Sequence, residues 1–219
     1  MDSQSSASSQ ADAQAMARTR RDFLQMVNLA TASIGAAAIA WTFIDYMNPS
    51  ADVIAAGAPM DIDISKVAAG QQIIIRWRGR PILIVNRTPP ALKTLQDNSL
   101  ISRLSDPRSE ADQQPPYARN WHRSIKPEYA VLVGICTHLG CLPSYKPKPS
   151  DSDPAPNWPG GYFCPCHGSK YDLAGRVYTG VPAPYNLPVP PYHFVNDHVL
   201  RIGENPKGEK FALSSVVQM

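Results

Sequence analysis

The chain has 219 residues, which suits one ordinary domain with attachments. A hydrophobic share of 43% is enough for a packed core, while a scattered net charge of +3, with no Lys/Arg stripe among aromatics, leaves no case for a nucleic-acid partner. Its 22 prolines, most of them after residue 80, point away from a helical bundle and towards short strands and loops.

Residues 1–17 are mostly Ser, Ala and Gln and read as disordered. The stretch Thr19-Arg20-Arg21-Asp22-Phe23-Leu24 resembles a twin-arginine export signal, in which Arg20 and Arg21 are read by a receptor that exports folded proteins. Residues 1–22 are therefore expected as a cytoplasmic tail. No residue from Phe23 to Ile44 is charged. As a helix that run spans about 33 Å at 1.5 Å per residue, against a bilayer core of roughly 30 Å. Gly35, Ala36, Ala37 and Ala38 would allow close helix packing, and Trp41 and Tyr46 fall where an interfacial aromatic belt belongs. The expectation is a single transmembrane anchor over 23–46, with the arginines on the cytoplasmic side. Ala56-Gly57-Ala58 looks like a signal cleavage site. However, Pro59 follows it directly and the apolar run exceeds a signal-peptide core, so the anchor is read as retained.

Residues 47–59 are small, Ala-rich and bracketed by prolines, and read as a flexible hinge. Strand signals follow. Asp61 to Ile64 alternates, and Gln72–Trp77 and Pro81–Val85 are apolar runs joined by Arg78-Gly79-Arg80, a hairpin. Pro89 to Asp97 reads as a short helix with proline in its first turn. Residues 98–127 read as a polar surface excursion and Glu128–Ile135 as a buried strand. Leu142 to Gly161 is proline-rich and reads as surface. Tyr192–Val195 and His198–Ile202 flank Asn196-Asp197, a second hairpin signal, and Phe211–Leu213 reads as a last strand. The fold class expected for 60–219 is mainly β, an antiparallel domain into which a cluster-binding part, about 135–184, is inserted.

All four cysteines lie in two stretches, Cys136-Thr137-His138-Leu139-Gly140-Cys141 and Cys164-Pro165-Cys166-His167-Gly168-Ser169. Three readings compete. A structural zinc site fits the mixture of Cys and His, although a zinc finger pairs two Cys and then two His, and here each loop leaves a Cys to spare. Two disulfides would ignore the histidines. A Rieske-type 2Fe-2S centre would use one Cys and one His from each loop. His122, His193 and His198 lie outside the motif and read as ordinary core or surface histidines.

The two loops, with Tyr171 and Asp172 after the second, closely resemble the Rieske iron-sulfur subunit of ubiquinol–cytochrome c reductase, and the anchor, hinge and strand order extend the resemblance over most of the chain. The resemblance implies that Cys136 and Cys164 bind one iron, that His138 and His167 bind the other, and that Cys141 and Cys166 form a disulfide. It implies that Ser169 and Tyr171 donate hydroxyls to a cluster sulfide and to a ligand sulfur, which would raise the potential. It also implies that His167 is the exposed ligand meeting quinol and that Leu139 and Gly140 dock on cytochrome b. Gly180-Val181-Pro182-Ala183-Pro184 resembles the family's proline loop, although the family usually has Gly where this chain has Val181.

The implied function is an electron-transfer subunit of a proton-translocating respiratory-chain complex, dimeric in family terms, that takes one electron from quinol and passes it to a membrane c-type cytochrome. The implied place is a bacterial inner membrane, single-pass, with the Rieske domain periplasmic. The alternative is the Rieske small subunit of a periplasmic molybdenum oxidase.

Overall fold

A single long helix, α1 (Ser3–Tyr46), makes up most of the N-terminal unit of the chain, Met1–Ile54. The computed structural model describes residues 3–149 and 153–217; expectations touching the remaining residues lie outside them. The disorder expected over residues 1–17 is corrected for residues 3–17, because α1 already runs from Ser3. Low hydrophobicity decides whether a segment can be buried, not whether it can coil. This segment is rich in Ala, the best helix former, and Gly35 is the first glycine of the chain. The apolar side chains are exposed along the helix, Phe23 at 60% and Trp41 at 70%. The hydroxyls of Thr31, Ser33 and Thr42 donate to carbonyls four residues back, at 2.8, 2.8 and 3.0 Å, so the helix satisfies them itself. The segment is long and apolar enough to cross a membrane.

The stretch read as a hinge is partly ordered. It contains a short helix, α2 (Ala51–Ala56). Its end is held on the second unit, Ala55–Met219, where Trp77 Nε1 donates to Ala58 O at 3.0 Å and Arg78 Nε to Gly57 O at 3.1 Å.

Among its described residues the second unit holds three antiparallel sheets of three strands each. In the first, β1 (Met60–Asp63) pairs with β9 (Val199–Ile202), which pairs with β8 (Tyr192–Phe194). In the second, β3 (Arg80–Asn86) lies between β2 (Gln72–Trp77) and β4 (Tyr129–Val133), so Ile82 to Val85 are buried as a continuous run. In the third, β6 (Gly161–Phe163) lies between β5 (Ser144–Lys146) and β7 (Lys170–Tyr171), with Lys146 directly opposite Gly161. The β2–β3 turn has both central residues at positive φ, Arg78 at 49° and Gly79 at 73°, the hairpin geometry that matches strand twist. In the β8–β9 turn, Asn196 Oδ1 accepts from the backbone N–H of both His198 and Val199. Both hairpins lie where the sequence places them.

Four expectations are corrected. The helix read over Pro89–Asp97 is shorter, α3 (Pro89–Thr94), and a second one, α4 (Asn98–Ile101), opens the stretch read as an excursion, because Asp97 Oδ1 accepts from Ser99 N and starts it. The strand read at Phe211–Leu213 is absent, and Leu213 instead opens a 3₁₀ turn. The excursion over 98–127 is not surface throughout. It buries Ser109, Gln113, Gln114, His122, Arg123 and Ser124. The proline-rich stretch after Leu142 likewise buries Trp158, which stacks on Tyr178 at 5.7 Å in a second apolar cluster.

His122 gives this excursion a pH dependence. Burial, with Arg87 adding to it, pushes its imidazole down to about 4. The unfolded chain binds that proton near pH 6.5 and the folded chain does not, so stability present above pH 6.5 falls as pH drops towards 4. We expect a loss of roughly 1 to 2 kcal/mol, less than the full 1.4 kcal/mol per unit because the ring keeps some water. Thermal unfolding at pH 7 and pH 4.5 should show a smaller pH-dependent drop for His122→Asn than for the parent; equal drops would contradict this.

Candidate metal centre

β4 delivers the chain to the first loop, and the second loop is the connection between β6 and β7. The two loops share one backbone form. In the first, Cys136 N donates to Cys141 O at 2.8 Å, and Gly140 N to Cys136 O at 2.9 Å. In the second, Cys164 N donates to Ser169 O at 2.8 Å, and Gly168 N to Cys164 O at 3.0 Å. Each is a six-residue turn closed at the same two points. Gly140 (φ 85°) and Gly168 (φ 80°) take the left-handed conformation that this closure requires.

The side chains do not follow the same symmetry. Counted from the first cysteine, His138 is two residues on and His167 three. Cys141 is five residues on and Cys166 two. Cys141 and Cys166 are joined by a disulfide with S–S 2.11 Å, which ties the loops together. The sulfurs of Cys141, Cys164 and Cys166 lie within 4.8 Å of one another, but two of them are spent on that bond, so they are not a ligand trio. The donors left are the free thiols of Cys136 and Cys164, both buried, and the imidazoles of His138 and His167. The two rings stand 4.7 Å apart, edge to face at 88°.

This set fits a metal group. His138 Nδ1 is buried and has no hydrogen-bond partner among the described residues, the condition of a ring nitrogen meant for a ligand bond. Burial pushes the Cys164 thiol up, so a thiolate there needs a cation beside it. His138 is half-buried and His167 is exposed, a difference that the sequence does not reveal.

The neighbouring hydroxyls are fixed from several sides. The Tyr171 hydroxyl lies 3.2 Å from Cys136 Sγ and accepts the Thr137 backbone N–H at 3.2 Å. Thr137 Oγ1, also 3.2 Å from it, donates its own proton to Tyr185 O at 2.7 Å. The phenolic proton of Tyr171 is thus left for Cys136 Sγ or Thr137 Oγ1, and burial pushes its ionisation up, so it stays a donor. Ser169 is fully buried, and its Oγ accepts Ala183 N at 3.1 Å. That bond sets the path of the Val181–Pro184 stretch, whose Ala183 is buried under the second loop's end. Leu139 at 71% and Leu142 at 46% exposure form an apolar rim beside the first loop. Thr137 was missed in the sequence; a lone Thr inside a Cys/His loop gives no sign of the three-way contact it makes.

The model of the Rieske [2Fe-2S] domain matches residues 112–192, and one described as "Ubiquitinol-cytochrome C reductase Fe-S subunit TAT signal" matches residues 10–50. Among curated relatives, a protein of Allochromatium vinosum named ubiquinol-cytochrome c reductase iron-sulfur subunit is 46% identical over 88% of this chain and 92% of its own length. One of the same name from Blastochloris viridis is 46% identical over 84% of this chain and 93% of its own length. A solved structure, a hyperthermophilic respiratory complex III, aligns over 78% of this chain and 94% of its own at a TM-score of 0.44 and 23% identity, a likeness too loose to argue from.

Alkylation of the denatured, metal-free chain should label two thiols without reductant and four with it. In Cys141→Ser the count without reductant should be three. A count of four in the unreduced parent would contradict the pairing.

Proposed function

The chain belongs to the family of ubiquinol–cytochrome c reductase iron-sulfur subunits, and we propose that it is the one-electron carrier between quinol bound at cytochrome b and a membrane c-type cytochrome. The observation that carries this reading is the donor set: two buried thiols and two imidazoles, brought together by two loops of one backbone form and a disulfide. Cys136, Cys164, His138 and His167 would hold the 2Fe-2S group of the Rieske domain. That group supplies reversible one-electron chemistry at a potential raised by its two neutral imidazoles.

The chain's own residues do the rest. His167, exposed at the tip of its loop, offers a ring nitrogen to a quinol hydroxyl and is the proton acceptor. His138, half-buried with its Nδ1 turned inward, is held as a ligand. Ser169 and Tyr171 place hydroxyl donors where negative charge accumulates on reduction, which favours the reduced state. Leu139 and Gly140 form the apolar tip that docks on cytochrome b. The membrane anchor on α1 holds the head at the bilayer, and the Arg20-Arg21 pair puts the head on the periplasmic side of a bacterial inner membrane. The subunit works within a dimeric complex. The reading as a molybdenum oxidase subunit is set aside by the family.

The domain division follows the same reading, with a tail over 1–22, an anchor over 23–46, a hinge over 47–59 and a head over 60–219 whose cluster-binding part is about 135–184. A carrier that serves two partners must move between them. The bonds from Trp77 and Arg78 fix Ala58 and Gly57 to the head, so the pivot lies in residues 47–56.

Cys136→Ser or His167→Ala should lose the electron paramagnetic resonance signal of the reduced Rieske centre altogether. Ser169→Ala and Tyr171→Phe should keep the signal and lower the midpoint potential. A parental signal in either ligand variant would sink the ligand assignment. Proline at Ala55 and Ala56 should slow quinol-to-cytochrome turnover severalfold with the signal intact; unchanged turnover would count against a moving head.

A further inference from the structure

Arg123 is fully buried in the polar excursion that precedes β4 and lies outside both cysteine loops. All five of its guanidinium protons are used. Nη1 donates to Ala174 O at 3.0 Å and Gly175 O at 3.3 Å. Nη2 donates to Leu187 O at 2.8 Å and Gln114 Oε1 at 2.9 Å, and Nε donates to the same Gln114 Oε1 at 3.3 Å. No carboxylate among the described residues accepts from it. A cation buried among backbone carbonyls is costly to hold, and a planar fork with five donors is the side chain that can bridge several carbonyls at once. Burial pushes this guanidinium down to about 9, which leaves it charged at neutral pH.

The carbonyls it bridges belong to two segments that matter. Ala174 and Gly175 form the turn that leaves β7, three residues after Tyr171. Leu187 is the exit of the Val181–Asn186 loop, and its own N–H donates to Gly175 O at 2.8 Å. That same loop reaches both hydroxyl donors of the metal centre. Its Ala183 N–H donates to Ser169 Oγ, and its Tyr185 O accepts from Thr137 Oγ1, which in turn contacts the Tyr171 hydroxyl. The loop therefore sets where both hydroxyls point, and Arg123 sets where the loop leaves the fold.

We propose that Arg123 is a positioning residue for the Ser169 and Tyr171 hydroxyls, acting through the loop 181–187 that it bolts to the turn after β7. This inference rests on the reading above, in which those hydroxyls raise the potential of the bound 2Fe-2S group. Arg123→Lys keeps the charge, so any direct Coulomb effect on the centre stays nearly constant. It loses the fork, because one ammonium cannot span the carbonyls of Ala174, Gly175 and Leu187 together.

The test is a cycle on the cluster-loaded full chain in membranes, read as midpoint potential and resonance line shape. The cycle compares the parent, Arg123→Lys, Ser169→Ala/Tyr171→Phe, and all three changes together. We expect Arg123→Lys alone to lower the potential, by less than the double variant does, and to add no further shift once both hydroxyls are gone. A parental potential in Arg123→Lys, beside a lowered one in the double variant, overturns this proposal alone. An equal shift from Arg123→Lys in both backgrounds also overturns it, since the residue would then act without the hydroxyls. A parental potential in the double variant would instead overturn the reading of the hydroxyls, and this inference with it. If Arg123→Lys fails to take up the cluster, Gln114→Ala is carried through the same cycle and judged by the same outcomes. That change removes the acceptor that aims the guanidinium and leaves the charge and the three carbonyls in place.

Discussion

The head depends on one requirement: two loops that follow different strands must present their donors at one point. The covalent link between Cys141 and Cys166 meets it directly. Closing a segment of 25 residues removes loop freedom from the unfolded chain, worth about 3 to 4 kcal/mol in the chain-entropy account. More important for the site, it fixes the loops relative to each other without any metal group. Folding and metal uptake need not then be a single event, as they are in small domains whose only link is the metal. The link also explains why four cysteines give only two thiol donors, with imidazoles making up the set.

Around that link the fold places buried charge, which in most settings is a cost. Asp172 and Arg176 form a buried ion pair at 2.6 Å, and Asp172 Oδ1 also accepts from the backbone of Ala174 and Arg176. Arg87 reaches His122 O, Pro127 O and Ser124 Oγ. A buried pair of this kind is weak evidence for stability. Its effect here is geometric: the buried arginines Arg87, Arg123 and Arg176 each donate to carbonyls of segments distant in sequence, and so tie the connections between strands together. This is how a proline-rich domain with short strands keeps a rigid site.

The metal centre was legible in the sequence because few chemistries need two Cys/His loops, and the Arg78-Gly79 and Asn196-Asp197 hairpins because their turn residues have narrow conformational uses. The excursion over 98–127 was not. Hydrophobic periodicity detects residues buried by apolar contact. Arg123, Gln114 and Ser124 are buried by hydrogen bonds to carbonyls, and nothing in the local sequence marks them. The Ala-rich start of α1 misled for a related reason: composition reports the drive to bury surface, and a helix of Ala, Gln and Ser can form without it. The greater exposure of His167 over His138 arises from a one-residue offset within matched loops, which only the backbone geometry reveals.

The third sheet has an evolutionary consequence. The chain leaves β5 at Lys146 and re-enters β6 at Gly161, and these two residues face each other on one rung of the ladder. Whatever lies between them begins and ends at the same place, so its length is not felt by the strands that carry the second loop. Doubling such an insert costs only about 0.6 kcal/mol of closure entropy. This rung is therefore a graft point, where the stretch ahead of Trp158 can gain or shed residues, and with them new surface, while Trp158 keeps its place in the second apolar cluster and the second loop is left undisturbed.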